Sequence, residues 1–194
     1  MSDEASNELK LYMLLLGSKA PGRHVEQHDF FFGVAYSLKE LVPAIKSFWH
    51  GTGTSLHIDG WREVTNVDGY HVKVLLKQDA YPESENRLFF VNLGGYQADK
   101  LEEQHYTVLT VQKDKALAIQ QSKKTVFFRT ATIAGMKGAN SHIDDKYGID
   151  VDDIYKIEEM LSPSQKERYY IDIAPASDLP EDEVHLGYFR LEKL

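Results

Sequence analysis

The chain has 194 residues, of which 42% are apolar, enough to close a hydrophobic core in one domain or two small ones. Its 30 acidic against 22 basic side chains give a formal charge of −8, which repels a nucleic-acid backbone or an anionic membrane surface and removes both as expected partners. No cysteine is present, so disulfides and thiolate metal ligands are excluded as well.

The polar, acidic start MSDEASNE lacks the basic residues and apolar run of a signal peptide. Residues 1–8 read as a frayed terminus, and a cytoplasmic location is expected. Leu11 to Leu16 is a continuous apolar run closed by Gly17, which predicts a strand buried on both faces and is far too short to span a bilayer. The loop GSKAPGRH follows, and Phe30 to Tyr36 is aromatic and β-branched enough for a second strand pairing with the first.

Ser37 then suits a helix cap, with Glu40 completing a capping box. Leu38, Leu41, Val42, Ile45 and Phe48 or Trp49 form an apolar stripe at helical spacing. Pro43 falls in the second turn, where it removes a backbone hydrogen bond, so a helix starting one turn later is the alternative. Two further extended segments, LHIDGWREV and YHVKVLL, flank a turn at Asp68 and Gly69. The polar stretch KQDAYPESENR closes the unit.

Shifted by 77 positions (87 − 10), the opening stretch lies without gaps on RLFFVNLGGYQADKLEEQHYTVLTVQKD. Leu11, Leu16, Gly17, Glu26, Gln27, His28 and Val34 fall on Leu88, Leu93, Gly94, Glu103, Gln104, His105 and Val111. Ser37 falls on Asp114, a second cap residue before the helical KALAIQQSKK. These seven identities at matching element boundaries read as an internal duplication. A partial third match, offset by 80, sets Glu183 and His185 on Glu103 and His105 and predicts a C-terminal hairpin. Between them lie a strand candidate, TVFFRTATI, and a helix expected from about Asp150. His142, Ile143 and Asp144 echo His57, Ile58 and Asp59 at an offset of 85.

The repeated order of strand, strand, helix and strand predicts an α+β fold of tandem β-grasp-like (ubiquitin-roll-like) repeats. The expected bounds are residues 9–86, 87–167 and a hairpin at 168–194 that completes a sheet; one larger domain is the alternative. The strings GRHVEQHDFFFG, LHIDGWREVTNVDGY, LFFVNLGGY and SHIDDKYGIDVDDI resemble the bacterial family catalogued as domain of unknown function 1543. That domain occurs in one or two copies per chain. The resemblance runs from Lys10 onward; it implies the duplication and carries no activity.

Polar chemistry concentrates in Arg23, His24, Glu26, His28, Asp29, His57, Asp59 and Arg62. On a strand, positions two apart share a face, so Glu26 with His28, and His57 with Asp59, each aim a carboxylate and an imidazole at one spot. Two such pairs meeting would give a nitrogen and oxygen ligand set for a divalent ion, or a base held by a carboxylate. No HExxH or other spaced metal signature is present. Because Glu-x-His recurs, its expected role is to satisfy open backbone groups at the hairpin turn. His28, His57, Asp59 and Arg62 are the catalytic candidates; Arg23, His24, Glu26 and Trp61 are the binding candidates.

The run Asp144, Asp145, Asp150, Asp152, Asp153 fails the EF-hand order and reads as a helix start. The glycines of GTGTS and NLGGY read as turns. The leading expectation is a noncatalytic binding or interaction protein, taking an unidentified small molecule or protein, or a second copy of itself, at sheet edges or an inter-unit groove. The alternative is a small, metal-assisted enzyme. No organic cofactor is expected; a divalent metal is the one that Glu26, His28, His57 and Asp59 could hold.

Overall fold

The computed structural model describes residues 8–51, 55–77, 84–96, 101–124 and 149–194. The chain is mixed α and β, with mostly antiparallel sheets and few helices. It divides into two compact units, one from Met1–Pro82 with Met160–Leu194 and the other from Glu83–Glu159. Among the described residues, no helix is long and apolar enough to cross a membrane.

In the first unit, β1 (Lys10–Ser18) and β2 (Gln27–Ala35) form an antiparallel hairpin. Helix α1 (Leu38–Phe48) follows, and β3 (His57–Glu63) returns antiparallel on the other side of β1. Tyr12, Leu14, Leu16, Phe31 and Ile58 share the face that packs on Leu41 and Ile45 of α1, with Leu191 closing the cluster. Burying each such side chain contributes about 1.5–3 kcal/mol. Leu11, Met13, Phe32 and Val34 are buried on the opposite face, which explains why β1 reads as an uninterrupted apolar run.

A second sheet comprises β4 (Asn66–Val67), β5 (Tyr70–Leu76) and β9 (Tyr169–Pro175). Positive φ at Asp68 and Gly69 (53° and 78°) makes the two-residue turn between β4 and β5. The last strand, β10 (His185–Arg190), pairs with β3 as an edge of the first sheet. The C-terminal hairpin expected at 168–194 is therefore two strands in different sheets: β9 bonds to β5 and β10 to β3. Local strand signals cannot show this, because the partners lie 93 to 105 residues earlier for β9 and 124 to 133 for β10.

The second unit repeats the pattern. Strands β6 (Arg87–Tyr96) and β7 (Glu103–Gln112) pair antiparallel, helix α2 (Lys115–Ser122) follows, and β8 (Ile149–Lys156) lies antiparallel beside β6. Phe89, Val91, Leu93 and Ala118 form its core with Val108, Val151 and Ile154. Every β1–β2 pairing recurs 77 residues on: Gly17↔His28 becomes Gly94↔His105. The register shift at Leu15/Leu16 recurs at Asn92/Leu93.

Three local expectations change. The helix expected from about Asp150 is strand β8; only Ile157–Met160 (α3) and Pro163–Arg168 (α4) are helical there. The β-branched residues of IDVDDIYK suit pairing with β6, and burial of Val151 and Ile154 against the core overrides the charge signal at Asp152 and Asp153. Gly17 and the glycines of NLGGY lie within β1 and β6 rather than in turns. Helix α1 begins at Leu38 despite Pro43; the proline is exposed, on the side of the helix where a carbonyl that lacks its amide partner is least costly. Ser37 is its N-cap residue without a side-chain cap bond, and Glu40 Oε2 accepts from the Tyr36 amide at 3.1 Å. Asp114 does cap α2, accepting from the Leu117 amide at 2.9 Å. The segment TVFFRTATI and residues 142–145 lie outside the described residues.

Candidate functional site

Three strands set one row. His28 of β2 and His57 of β3 both pair directly with Gly17 of the central strand β1, so all three positions lie on the sheet face away from α1. Neighbouring strands are about 4.8 Å apart, which leaves roughly 10 Å between the two histidine backbones and lets the imidazoles lean together over the glycine. The β3 irregularity adds the carboxylate. Leu16 pairs with Ile58 and Leu15 with Gly60, so Asp59 is the extra residue of a bulge, a device that re-aims a side chain. Glu26, two residues before His28, enters from the same side.

The four side chains converge. His28 Nε2 lies 3.0 Å from Asp59 Oδ2 and 3.8 Å from Glu26 Oε2. His57 Nε2 lies 3.0 Å from Asp59 Oδ1 and 3.5 Å from Glu26 Oε1. One donor atom each from Glu26, His57 and Asp59 lies within 4.8 Å of the others.

His57 is held rigidly, with 2% of its surface exposed. Its Nδ1 lies 2.7 Å from the Ser55 carbonyl oxygen. A carbonyl only accepts, so Nδ1 carries the hydrogen and Nε2 presents a lone pair in the neutral ring. Ser55 is fixed in turn by the Ser18 hydroxyl at 2.7 Å, and its own hydroxyl donates to the Lys19 carbonyl at 3.2 Å. The Tyr188 ring of β10 covers the imidazole, with centroids 4.0 Å apart. His57 Nε2 and Asp59 Oδ2 are both buried without a hydrogen-bond partner. Lone pairs on an imidazole and a carboxylate facing one another at 3.0 Å repel unless a proton or a cation lies between them.

Gly17 forms the floor. A Cβ there would come 2.3 Å from Asp59 Oδ2 and 2.6 Å from His57 Nε2, so only glycine leaves room for the cluster.

Of the sequence candidates, Glu26, His28, His57 and Asp59 come together. Arg62 shares the face by register, opposite Met13; burial lowers its guanidinium pKa, opposed by the Asp182 charge. Asp182 also accepts from the Thr65 hydroxyl at 2.6 Å and the Asn66 amide at 3.1 Å, so Arg62 neighbours a structural latch. Trp61 is on the α1 face, stacked on His185 with centroids 3.9 Å apart. Arg23 and His24 are exposed in the β1–β2 loop, outside the donor cluster. The carboxylate and imidazole of the Glu26–His28 step meet β3 side chains instead of the expected backbone groups. Three contributors escaped sequence reasoning: Gly17, Ser55 and Tyr188. Gly17 had a signal, its match to Gly94; Tyr188 had none, being 131 residues from His57 (188 − 57).

Comparison with known proteins agrees with the resemblance seen in the sequence. The family model described as Domain of Unknown Function (DUF1543) matches residues 23–74, a span that contains all four converging side chains. Among solved structures, the chain is similar to the crystal structure of protein Il1583 from Idiomarina loihiensis, at 25% identity and a TM-score of 0.62, over 95% of this chain and 99% of that one. No curated protein matches the chain.

Proposed function

We propose that the first unit binds one divalent metal ion of the zinc class through His57, Asp59, His28 and Glu26, and that the protein's function depends on that ion. The observation that carries this reading is the buried, partnerless Nε2 of His57 facing carboxylate oxygens. A tetrahedral ion with bonds of 2.0–2.1 Å sets its donors about 3.3 Å apart; His57 Nε2 lies 3.0 Å from Asp59 Oδ1 and 3.5 Å from Glu26 Oε1, and His28 stands beside Asp59 at 3.0 Å. Two imidazoles with carboxylates suit zinc and its neighbours better than calcium or magnesium, which prefer all-oxygen sets. The Ser55 carbonyl plays the outer-shell part that fixes a ligating histidine's tautomer.

Binding alone satisfies the noncatalytic expectation. Metal-assisted hydrolysis is the second reading, favoured by the exposure of Glu26 and His28, which leaves one side of the ion open to water. A protein partner or second copy would find its place on edge strand β10, where Leu186 is 77% exposed. The shared register and the bulge repeated 77 residues on support an internal duplication. The β-grasp likeness is limited to the order strand, strand, helix, strand in each unit; the strand after each helix pairs antiparallel with the first strand, where a ubiquitin roll sets a parallel strand beside it.

The test is zinc titration of the purified chain with circular dichroism as the folding control. One equivalent is expected, lost in His57→Ala and kept in His24→Ala. Absence of binding, or binding untouched by His57→Ala, would overturn the proposal.

A further inference from the structure

Position for position, the second unit carries most of the same cluster. Glu103 and His105 stand where Glu26 and His28 stand, Gly94 replaces Gly17, and Asp152 is the extra residue of the β8 bulge as Asp59 is of β3. The Asp152 carboxylate lies over Gly94, with Oδ2 2.2 Å from where a Cβ would be. Two positions differ. Asp150 holds the backbone place of His57, opposite the glycine, so the structural counterpart of His57–Asp59 is Asp150–Asp152 at an offset of 93 (150 − 57), not the segment from His142. Asn92 holds the place of Leu15.

The geometry differs accordingly. In the first unit a single atom, His28 Nε2, faces both carboxylates, which is convergence on one point. In the second, His105 turns Nε2 toward Glu103 (3.8 Å) and Nδ1 toward Asp152 Oδ2 (3.3 Å), so its two nitrogens bridge two carboxylates. The Asn92 amide nitrogen lies 3.4 Å from both His105 Nδ1 and Asp152 Oδ2. Its two hydrogens can serve both lone pairs, where Leu15 has none to offer.

Resting on the metal-binding reading of the first unit, we infer that Asn92 takes the place of a cation in the second unit and makes that unit blind to zinc. The chain then binds one ion, and the pairs Leu15/Asn92 and His57/Asp150 decide which unit holds it. A neutral amide between an imidazole and a carboxylate removes the repulsion that a metal relieves in the first unit, and loss of the second imidazole removes a nitrogen ligand.

The experiment is zinc titration of the full chain beside its variants, with melting curves in excess chelator. The wild type should take up one equivalent, unaffected by His105→Ala. The double variant Asn92→Leu with Asp150→His should take up two. In chelator, Asn92→Leu should lower the melting temperature by roughly 2–4 °C, the loss of one net hydrogen bond in a chain of this size. Two equivalents in the wild type, one of them lost in His105→Ala, would overturn the inference, as would a double variant that still binds one. If the wild type binds none, the metal reading of the first unit fails by itself; the chelator melts then decide the role of Asn92, an unchanged melting temperature overturning it.

Discussion

Gly17→Ala isolates the floor of the cluster from its ligands. The added methyl would lie 2.3 Å from Asp59 Oδ2 and 2.6 Å from His57 Nε2, about 1 Å inside ordinary contact. His57 can yield only slightly, because the Ser55 carbonyl and the Tyr188 ring hold it. The Asp59 carboxylate must therefore move, by several times the roughly 0.2 Å that a metal bond tolerates. Outer-shell changes already cost 10–100-fold in affinity. Displacing a ligand should thus weaken zinc binding by at least about 100-fold, or about 2.7 kcal/mol. The fold should survive: overpacking costs about 1–3 kcal/mol, partly offset by the roughly 0.5–1 kcal/mol that alanine gains over glycine in a strand. A competition titration against a chromophoric chelator, with urea unfolding of the metal-free chain, separates the two effects. Gly94→Ala, which crowds Asp152 in the second unit, should leave zinc affinity unchanged. Wild-type affinity in Gly17→Ala, or an equal loss in Gly94→Ala, would refute the reasoning.

The two helix caps should respond unequally in urea unfolding: Asp114→Ala should cost about 1 kcal/mol, whereas Ser37→Ala, whose hydroxyl makes no cap bond, should be near neutral, and equal costs would contradict the assignment. Burial, with the charges of Glu63 and Glu40 adding to it, pushes the Tyr12 phenol up to about 12, while an unfolded tyrosine titrates near 10. The unfolded chain therefore loses its proton first. The stability tied to neutral Tyr12 is fully present below about pH 10 and is lost, at about 1.4 kcal/mol per pH unit, as the pH rises through about 12. Against the wild type, Tyr12→Phe should lose less stability between pH 10 and 12; parallel declines in both would exclude Tyr12 as the cause.

The sequence by itself determined which segments of the first unit extend and which coil, and the 77-residue spacing of matched positions. It also paired Glu26 with His28, and His57 with Asp59, on common faces. Those are local facts: side-chain period, caps and turn residues report the face and type of an element. Only the tertiary structure decided that β3 returns beside β1, which sets His57 across Gly17 from His28, and that a bulge turns Asp59 into the same space. Pairing partners are chosen by burial of whole faces, which no local pattern encodes. Ile149–Lys156 became a strand for the same reason, its acidic start outweighed by apolar contacts with β6. The glycine that looked like the end of a strand is the clearest case. Its lack of a side chain punctuates the sequence, but what that lack makes room for is supplied by three residues brought to it from two other strands.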